Sequence, residues 1–200
     1  SVELDRLLTH CREHNLVLIE DGAHVIGTSY KGRMNGSIAD MTTMSFHPVK
    51  TVTGGEGGAV LTNSKEYYEK LLLYRAHGIT RDPKLMEHEP DGPWYYEQIA
   101  LGMNYRMTDM QAALIISQLN KLPRFMERRK AIVKAYNEAF SRLPQLFVQQ
   151  EIPESDTTRH LYILRIRPEK LTIDRKQFFE ALAAENICCN VHYIPTYYFP

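Results

Sequence analysis

Apolar positions change period along the chain, and the changes mark its elements. Over residues 2–14, Val2, Leu4, Leu7, Leu8 and Cys11 recur at helical spacing and predict an amphipathic helix. Leu16-Val17-Leu18-Ile19 follows as an unbroken apolar run, the pattern of a strand buried on both faces of a parallel sheet. It stops at Glu20-Asp21, so an acid stands at the strand's C-terminal end, where ligands gather in open α/β sheets. Ser29-Tyr30-Lys31-Gly32 and Asn35-Gly36 have turn chemistry, and Met41 to Phe46 predicts a second strand. Ala59-Val60-Leu61-Thr62 predicts a third, after which Ser64 caps a helix carrying Leu71, Leu72 and Leu73.

Residues 80–98 are polar, with Pro83, Pro90 and Pro93, and predict a loop. Thr108-Asp109 opens a helix from Met110 to Leu122, limited by Pro123, and a basic helix continues from Arg124 to Leu143. Its Arg128-Arg129-Lys130 run reads as a solvated face. A strand over Leu161–Ile166, a helix capped by Thr172 or Asp174 and ending at Glu185, and a strand over Cys188–Ile194 form a β-α-β pattern. The fold class is therefore α/β, with residues 1–122 in a larger domain and residues 123–200 in a small C-terminal one.

Composition narrows the function classes. Lys+Arg 24 balance Asp+Glu 24, so the chain lacks the basic excess of a nucleic-acid binder. A 44% hydrophobic fraction with 24% charged residues excludes disorder. No run of 18 apolar residues is present to span a membrane, and the first residues carry no basic region followed by an apolar run. The three cysteines, Cys11, Cys188 and Cys189, make no disulfide framework and read as reduced, partly buried thiols of a cytoplasmic protein. Ser1 falls inside a helical pattern and Tyr197-Tyr198-Phe199-Pro200 reads as mid-structure, so the 200 residues are expected to be part of a longer protein.

Several familiar chemistries find no support. Gly54-Gly55-Glu56-Gly57-Gly58 lacks the Gly-Lys-Ser/Thr of a phosphate loop, and it precedes a strand where a dinucleotide fingerprint would precede a helix. The eight histidines show no His-Glu-x-x-His and no His/Cys cluster at zinc spacing, so no metal is expected. No Gly-x-Ser-x-Gly elbow exists for a hydrolase triad. What remains is Asp21 ending one strand, His24 one turn later, Ser45 ending another strand and Lys50 in the loop beyond. An acid, a hydroxyl and a lysine at strand ends suit a pyridoxal phosphate site: the acid protonates the pyridine nitrogen, the hydroxyl holds phosphate, and the lysine bonds the aldehyde. A surface lysine beside an ordinary strand-end aspartate has the same spacing.

The motifs decide for the first reading by resemblance. Glu20-Asp21-Gly22-Ala23-His24-Val25-Ile26-Gly27 and Ser45-Phe46-His47-Pro48-Val49-Lys50-Thr51-Val52-Thr53-Gly54-Gly55-Glu56-Gly57-Gly58 resemble the DegT/DnrJ/EryC1/StrS aminotransferases of nucleotide-linked keto-sugars. His77-Gly78, Leu101-Gly102-Met103-Asn104-Tyr105-Arg106-Met107-Thr108-Asp109 and Val191-His192-Tyr193-Ile194-Pro195 extend the resemblance along the whole chain. It implies the fold type I of the pyridoxal-5′-phosphate-dependent transferases, like aspartate aminotransferase, with a partial large domain and a small α/β C-terminal domain.

It also implies the site. Lys50 sits where the family's Schiff-base lysine sits, Asp21 matches the pyridine-nitrogen acid, and His24 matches the residue beside the ring hydroxyl. Ser45 matches a phosphate ligand, and Asn104 an asparagine that reaches the cofactor phosphate of the neighbouring subunit, so the resemblance implies a homodimer with a shared active site. Arg106, His192 and Tyr193 match positions near the nucleotide-sugar.

Gly92-Pro93-Trp94-Tyr95-Tyr96-Glu97 is similar to the branch that aminates C4 of a UDP-4-keto-6-deoxy-N-acetylhexosamine in pseudaminic acid biosynthesis, with L-glutamate as donor. The resemblance also leaves open another UDP- or dTDP-4-keto-6-deoxy sugar, or a truncated, non-catalytic relative with a regulatory role. The family's N-terminal portion, which supplies further sheet strands and phosphate and ring contacts, is not part of these 200 residues.

Overall fold

The computed structural model describes residues 3–199. In chain order its elements are helix α1 (Leu4–Glu13) and strands β1 (Ile19–Asp21), β2 (Ser29–Tyr30), β3 (Arg33–Met34), β4 (Met41–Ser45) and β5 (Gly58–Leu61). Helix α2 (Lys65–Arg75), strands β6 (Ile79–Thr80) and β7 (Glu97–Gln98), and helices α3 (Asp109–Leu119) and α4 (Leu122–Phe140) follow. Strands β8 (Leu146–Val148), β9 (Ser155–Asp156) and β10 (Leu164–Ile166) and helix α5 (Arg175–Ala184) complete the chain. Val2, expected on the first helix, lies outside the described residues.

The chain forms two compact units. One takes in residues up to Ile132 together with Glu151–Leu161; the other takes in Val133–Gln150 and the residues from Tyr162 onward. The division falls inside α4.

The first unit is built on a mixed sheet of order β1-β4-β5. β1 runs parallel to β4, with Asp21 opposite Thr43, while β5 returns antiparallel and sets Gly58 opposite Ser45. Parallel pairing brings the C-terminal ends of β1 and β4 to the same side of the sheet. Ile26, Phe46, Val52 and Ile115 form the core beneath that end. Leu4 anchors α1 against Tyr30 and Ile38 in a second cluster.

Helix signals in the sequence are realised as hydrogen bonds. The Ser64 hydroxyl accepts from the Tyr67 amide, and Thr108 and Gln111 form a reciprocal capping box. Asp174, and not Thr172, caps α5, again in a capping box, with Gln177.

Two strand expectations change. Leu16, Val17 and Ile19 are 54%, 49% and 59% exposed, so the run expected to be buried on both faces is open to solvent. Among the described residues β1 has one neighbour, β4, and an edge strand with one neighbour leaves its far side uncovered. Residues 188–194 form no strand. They pair with nothing in the two-stranded β8–β10 sheet of the second unit, and an unpaired segment satisfies its backbone groups in water instead. Cys188 and Cys189 are accordingly exposed free thiols, and only Cys11 is partly buried.

The second unit carries a cluster of half-buried and exposed aromatic rings. Tyr136, Phe140 and Tyr162 cluster with ring centroids 5.1–6.1 Å apart, and the Tyr162 hydroxyl donates to Asn137 Oδ1 at 2.7 Å. The Arg167 guanidinium lies 3.5 Å from the centre of the Phe147 ring.

Candidate functional site

Glu20 and Asp21 are adjacent acids with different fates. Glu20 accepts from the Asn35 amide nitrogen at 2.5 Å and from the Thr42 hydroxyl at 3.0 Å, and Thr42 is fully buried. Both of its oxygens are thereby committed to holding β1, β4 and the turn between them. Asp21 accepts one hydrogen bond through Oδ1, from the Ala23 amide at 3.1 Å. Among the described residues its second oxygen has no partner, so Asp21 is the acid left for a ligand. Gly22 permits the turn: a Cβ there would stand 2.6 Å from both the Thr42 side chain and the Thr43 carbonyl.

Ser45 closes β4 with a half-buried hydroxyl that accepts from the His47 amide at 3.4 Å. The chain then turns at His47-Pro48-Val49-Lys50, where the Lys50 amide donates to the His47 carbonyl at 2.9 Å. Proline at the second position presets that turn. The loop is pinned at its root. Phe46 donates to the Gly57 carbonyl at 2.9 Å, and its own carbonyl accepts from the Gly54 amide and the Thr53 hydroxyl, each at 3.0 Å. Val52, fully buried, plugs the loop into the core. The glycine run is explained by approach and conformation: a Cβ on Gly54 would meet Ile115 at 2.8 Å, while Gly55 and Gly57 hold φ of +83° and +129°. Lys50 is left half-buried, and among the described residues its amine has no hydrogen-bond or ion-pair partner.

His24 lies exposed after the Gly22 turn, its ring 4.5 Å from that of His160 and tilted by 51°. Sequence reading passed over His160, because nothing in its spacing links it to His24. Its segment is held in place by Arg129, whose Nη1 donates to the carbonyls of Arg159 at 3.1 Å and His160 at 3.2 Å. Arg129 is thus a tether and not part of a solvated face. Lys130 pairs with Asp156 at 2.6 Å, and Arg128 is exposed.

Asn104 and Arg106 are placed by backbone stitching against the end of α2. The amides of His77, Met103 and Tyr105 bond the carbonyls of Met103, Tyr74 and Arg75 at 2.7–2.9 Å. Asn104 bridges to Ala76, and its Oδ1 accepts from Arg106 Nε at 3.4 Å. Both side chains are exposed. His192 and Tyr193 belong to the second unit, exposed, with ring centroids 4.0 Å apart.

The donor set in the first unit fits pyridoxal 5′-phosphate. It offers a carboxylate with an uncommitted oxygen, a half-buried amine without a partner, and a strand-end hydroxyl next to a glycine-rich loop. Asp21 would hold the ring nitrogen, Lys50 the aldehyde carbon and Ser45 the phosphate.

Mixed α/β architecture, with an acid and a hydroxyl ending adjacent strands and a lysine in the loop beyond, is that of a fold type I pyridoxal-phosphate-dependent transferase domain, as the structural likeness shows. The chain belongs to the DegT/DnrJ/EryC1/StrS aminotransferase family, whose model matches residues 1–200. It is 38% identical, over its whole length and 50% of the relative's, to the UDP-4-amino-4,6-dideoxy-N-acetyl-beta-L-altrosamine transaminase of Campylobacter jejuni strain 81-176. Helicobacter pylori PseC, an aminotransferase of pseudoaminic acid biosynthesis, superimposes with a TM-score of 0.88 at 31% identity, over all of this chain and 51% of that one. A sugar aminotransferase of Streptococcus pneumoniae, Spr1654 in its PLP form, gives 0.82 at 30% identity over 99% of this chain and 54% of that one. The chain spans about half the length of the curated relatives it matches.

Proposed function

We propose that the protein containing this chain is a pyridoxal-phosphate-dependent aminotransferase. It moves an amino group from L-glutamate to C4 of a UDP-4-keto-6-deoxy-N-acetylhexosamine, in the cytoplasm, as a homodimer. The carrying observation is the uncommitted, half-buried Lys50 amine in a loop pinned through Phe46 and Val52. The likeness to the C. jejuni altrosamine transaminase supports the sugar class.

The bound cofactor supplies an electron sink for charge developing on the reacting carbon. Lys50 Nζ would hold the cofactor's aldehyde carbon, and the same amine would carry a proton at the amino-bearing carbon, an efficient task for a group tethered beside it. Asp21 keeps the ring nitrogen protonated through its free oxygen. His24 stands beside the ring hydroxyl, steadied by His160. Ser45 holds phosphate, and Asn104 reaches the phosphate of the partner subunit's cofactor. Arg106, His192 and Tyr193 contact the nucleotide-sugar.

Mass spectrometry of full-length protein given L-glutamate and the UDP-4-keto sugar tests the reading. The wild type yields the 4-amino sugar, while Lys50→Ala loses both the bound-cofactor absorbance and turnover. Turnover retained in Lys50→Ala overturns it.

A further inference from the structure

We propose that α1 carries a divalent transition-metal site formed by His10, Glu13 and His14. The three occupy positions i, i+3 and i+4 and therefore share one helix face. One ligand atom from each lies within 4.8 Å of the others, and all three side chains are exposed. The His10 and His14 rings already stand 4.4 Å apart between centroids.

A tetrahedral zinc ion with bonds of about 2.0–2.1 Å holds its ligand atoms about 3.4 Å apart. The three side chains reach that spacing by rotating about their own bonds, since no packed neighbour fixes an exposed ring. The backbone needs no adjustment because the helix already presents the triplet.

The electrostatics favour a cation. His14 caps the C-terminus of α1, where unpaired carbonyls concentrate partial negative charge. Glu13 adds a full negative charge. Arg6, one turn before His10, is the opposing charge on this face, and it is paired with Glu3 at 3.1 Å. Arg12 is offset from Glu13 by one residue, about 100° around the helix. Two imidazoles and one carboxylate suit zinc, nickel or copper and not calcium or magnesium, which take oxygen ligands. Three protein ligands leave a fourth position for water.

The pattern is His-x-x-Glu-His, the reverse order of His-Glu-x-x-His, so a search for the latter passes over it. The site lies on α1, and none of its residues belongs to the cofactor site.

Isothermal titration of Zn²⁺ into chelator-stripped full-length protein tests the proposal. The wild type takes up one zinc equivalent that the His10→Ala/His14→Ala double variant does not. Glu13→Gln, which removes one ligand charge, weakens that uptake by about tenfold or more, since even outer-shell partners of a metal cost 10–100-fold. All three positions are exposed, so an unchanged thermal melt and cofactor absorbance confirm that the variants fold. Zinc uptake identical in wild type and double variant, or none in the wild type, overturns the site.

Discussion

The Gly54 amide donates to the Phe46 carbonyl at 3.0 Å, and that bond closes the loop in which Lys50 sits. A reactive lysine on a free loop would sample many positions; here the loop's root is fixed by backbone bonds and its middle by Val52, buried completely. Position is thus delegated to backbone bonds and a buried side chain and not to Lys50 itself.

Val52→Ala tests that delegation. It removes two methyl groups from a site closed by Ile26, Phe46 and Ile115, and leaves a cavity. The cost is about 2 kcal/mol in unfolding free energy, read by denaturant titration of full-length protein. Cofactor retention drops as well, because the loop loses its plug. A variant with wild-type stability and full cofactor occupancy would show that the loop holds itself.

Gly102→Ala probes the second motif. A Cβ at Gly102 would stand 2.1 Å from the Gly78 nitrogen and 2.4 Å from the His77 carbonyl carbon, and backbone cannot step aside as a side chain can. The stitching of residues 103–105 to the end of α2 must shift, at about 1–3 kcal/mol. Asn104 and Arg106 shift with it, so amino-transfer activity falls further than stability alone predicts. Wild-type melting and turnover together would refute the packing account.

Local signals in the sequence translated directly. Ser64, Thr108 and Asp174 cap helices because capping is decided within four residues. Asp21 and Ser45 end strands as read, and for Asp21 the signal is an apolar run stopping at acids. What depended on distant parts of the chain was not legible. Leu16–Ile19 reads as buried because it is apolar, yet burial requires covering atoms, and Leu16, Val17 and Ile19 stay exposed, the first two ahead of β1. The ring contact between His24 and His160 joins residues far apart in sequence and follows no spacing rule. The contrast between Glu20 and Asp21 also needed the structure, because it rests on where Asn35 and Thr42 point.

That contrast gives a catalytic prediction. On the proposed reading Asp21 would keep the ring nitrogen protonated, so Asp21→Ala should lose stabilisation of developing charge worth about 3 kcal/mol or more, two orders of magnitude or more in kcat. Glu20→Gln keeps one acceptor oxygen and turns the other into an amide donor facing the Asn35 amide or the Thr42 hydroxyl, so it lowers stability and leaves the pH profile of kcat unchanged. Steady-state kinetics of the two variants separates a catalytic acid from a structural one. Equal losses of kcat would assign both acids the same role.

Glu97 governs the loop between the lysine motif and the Asn104 motif. Its carboxylate accepts from the amides of Glu87 at 2.7 Å and His88 at 2.9 Å, from the His88 ring at 3.0 Å and from the Tyr95 hydroxyl at 3.0 Å. The Glu87 amide above all, then the His88 amide, the Tyr95 hydroxyl and the His88 ring, hold the carboxyl below its usual range, against partial burial that acts upward. A carboxyl with a depressed folded pKa stabilises the ordered loop fully above the ordinary carboxylate range, about pH 4.3, and loses that contribution as pH falls through the folded value. Glu97→Gln removes the charge at every pH. Amide exchange over residues 82–98, corrected for intrinsic rates, should therefore be faster in Glu97→Gln than in wild type at pH 7. The difference should close only as pH falls through the depressed folded value, below the ordinary carboxylate range, where the wild-type carboxyl is protonated too. A gap that persists into acid would mean that the loop is held by packing and not by the carboxylate.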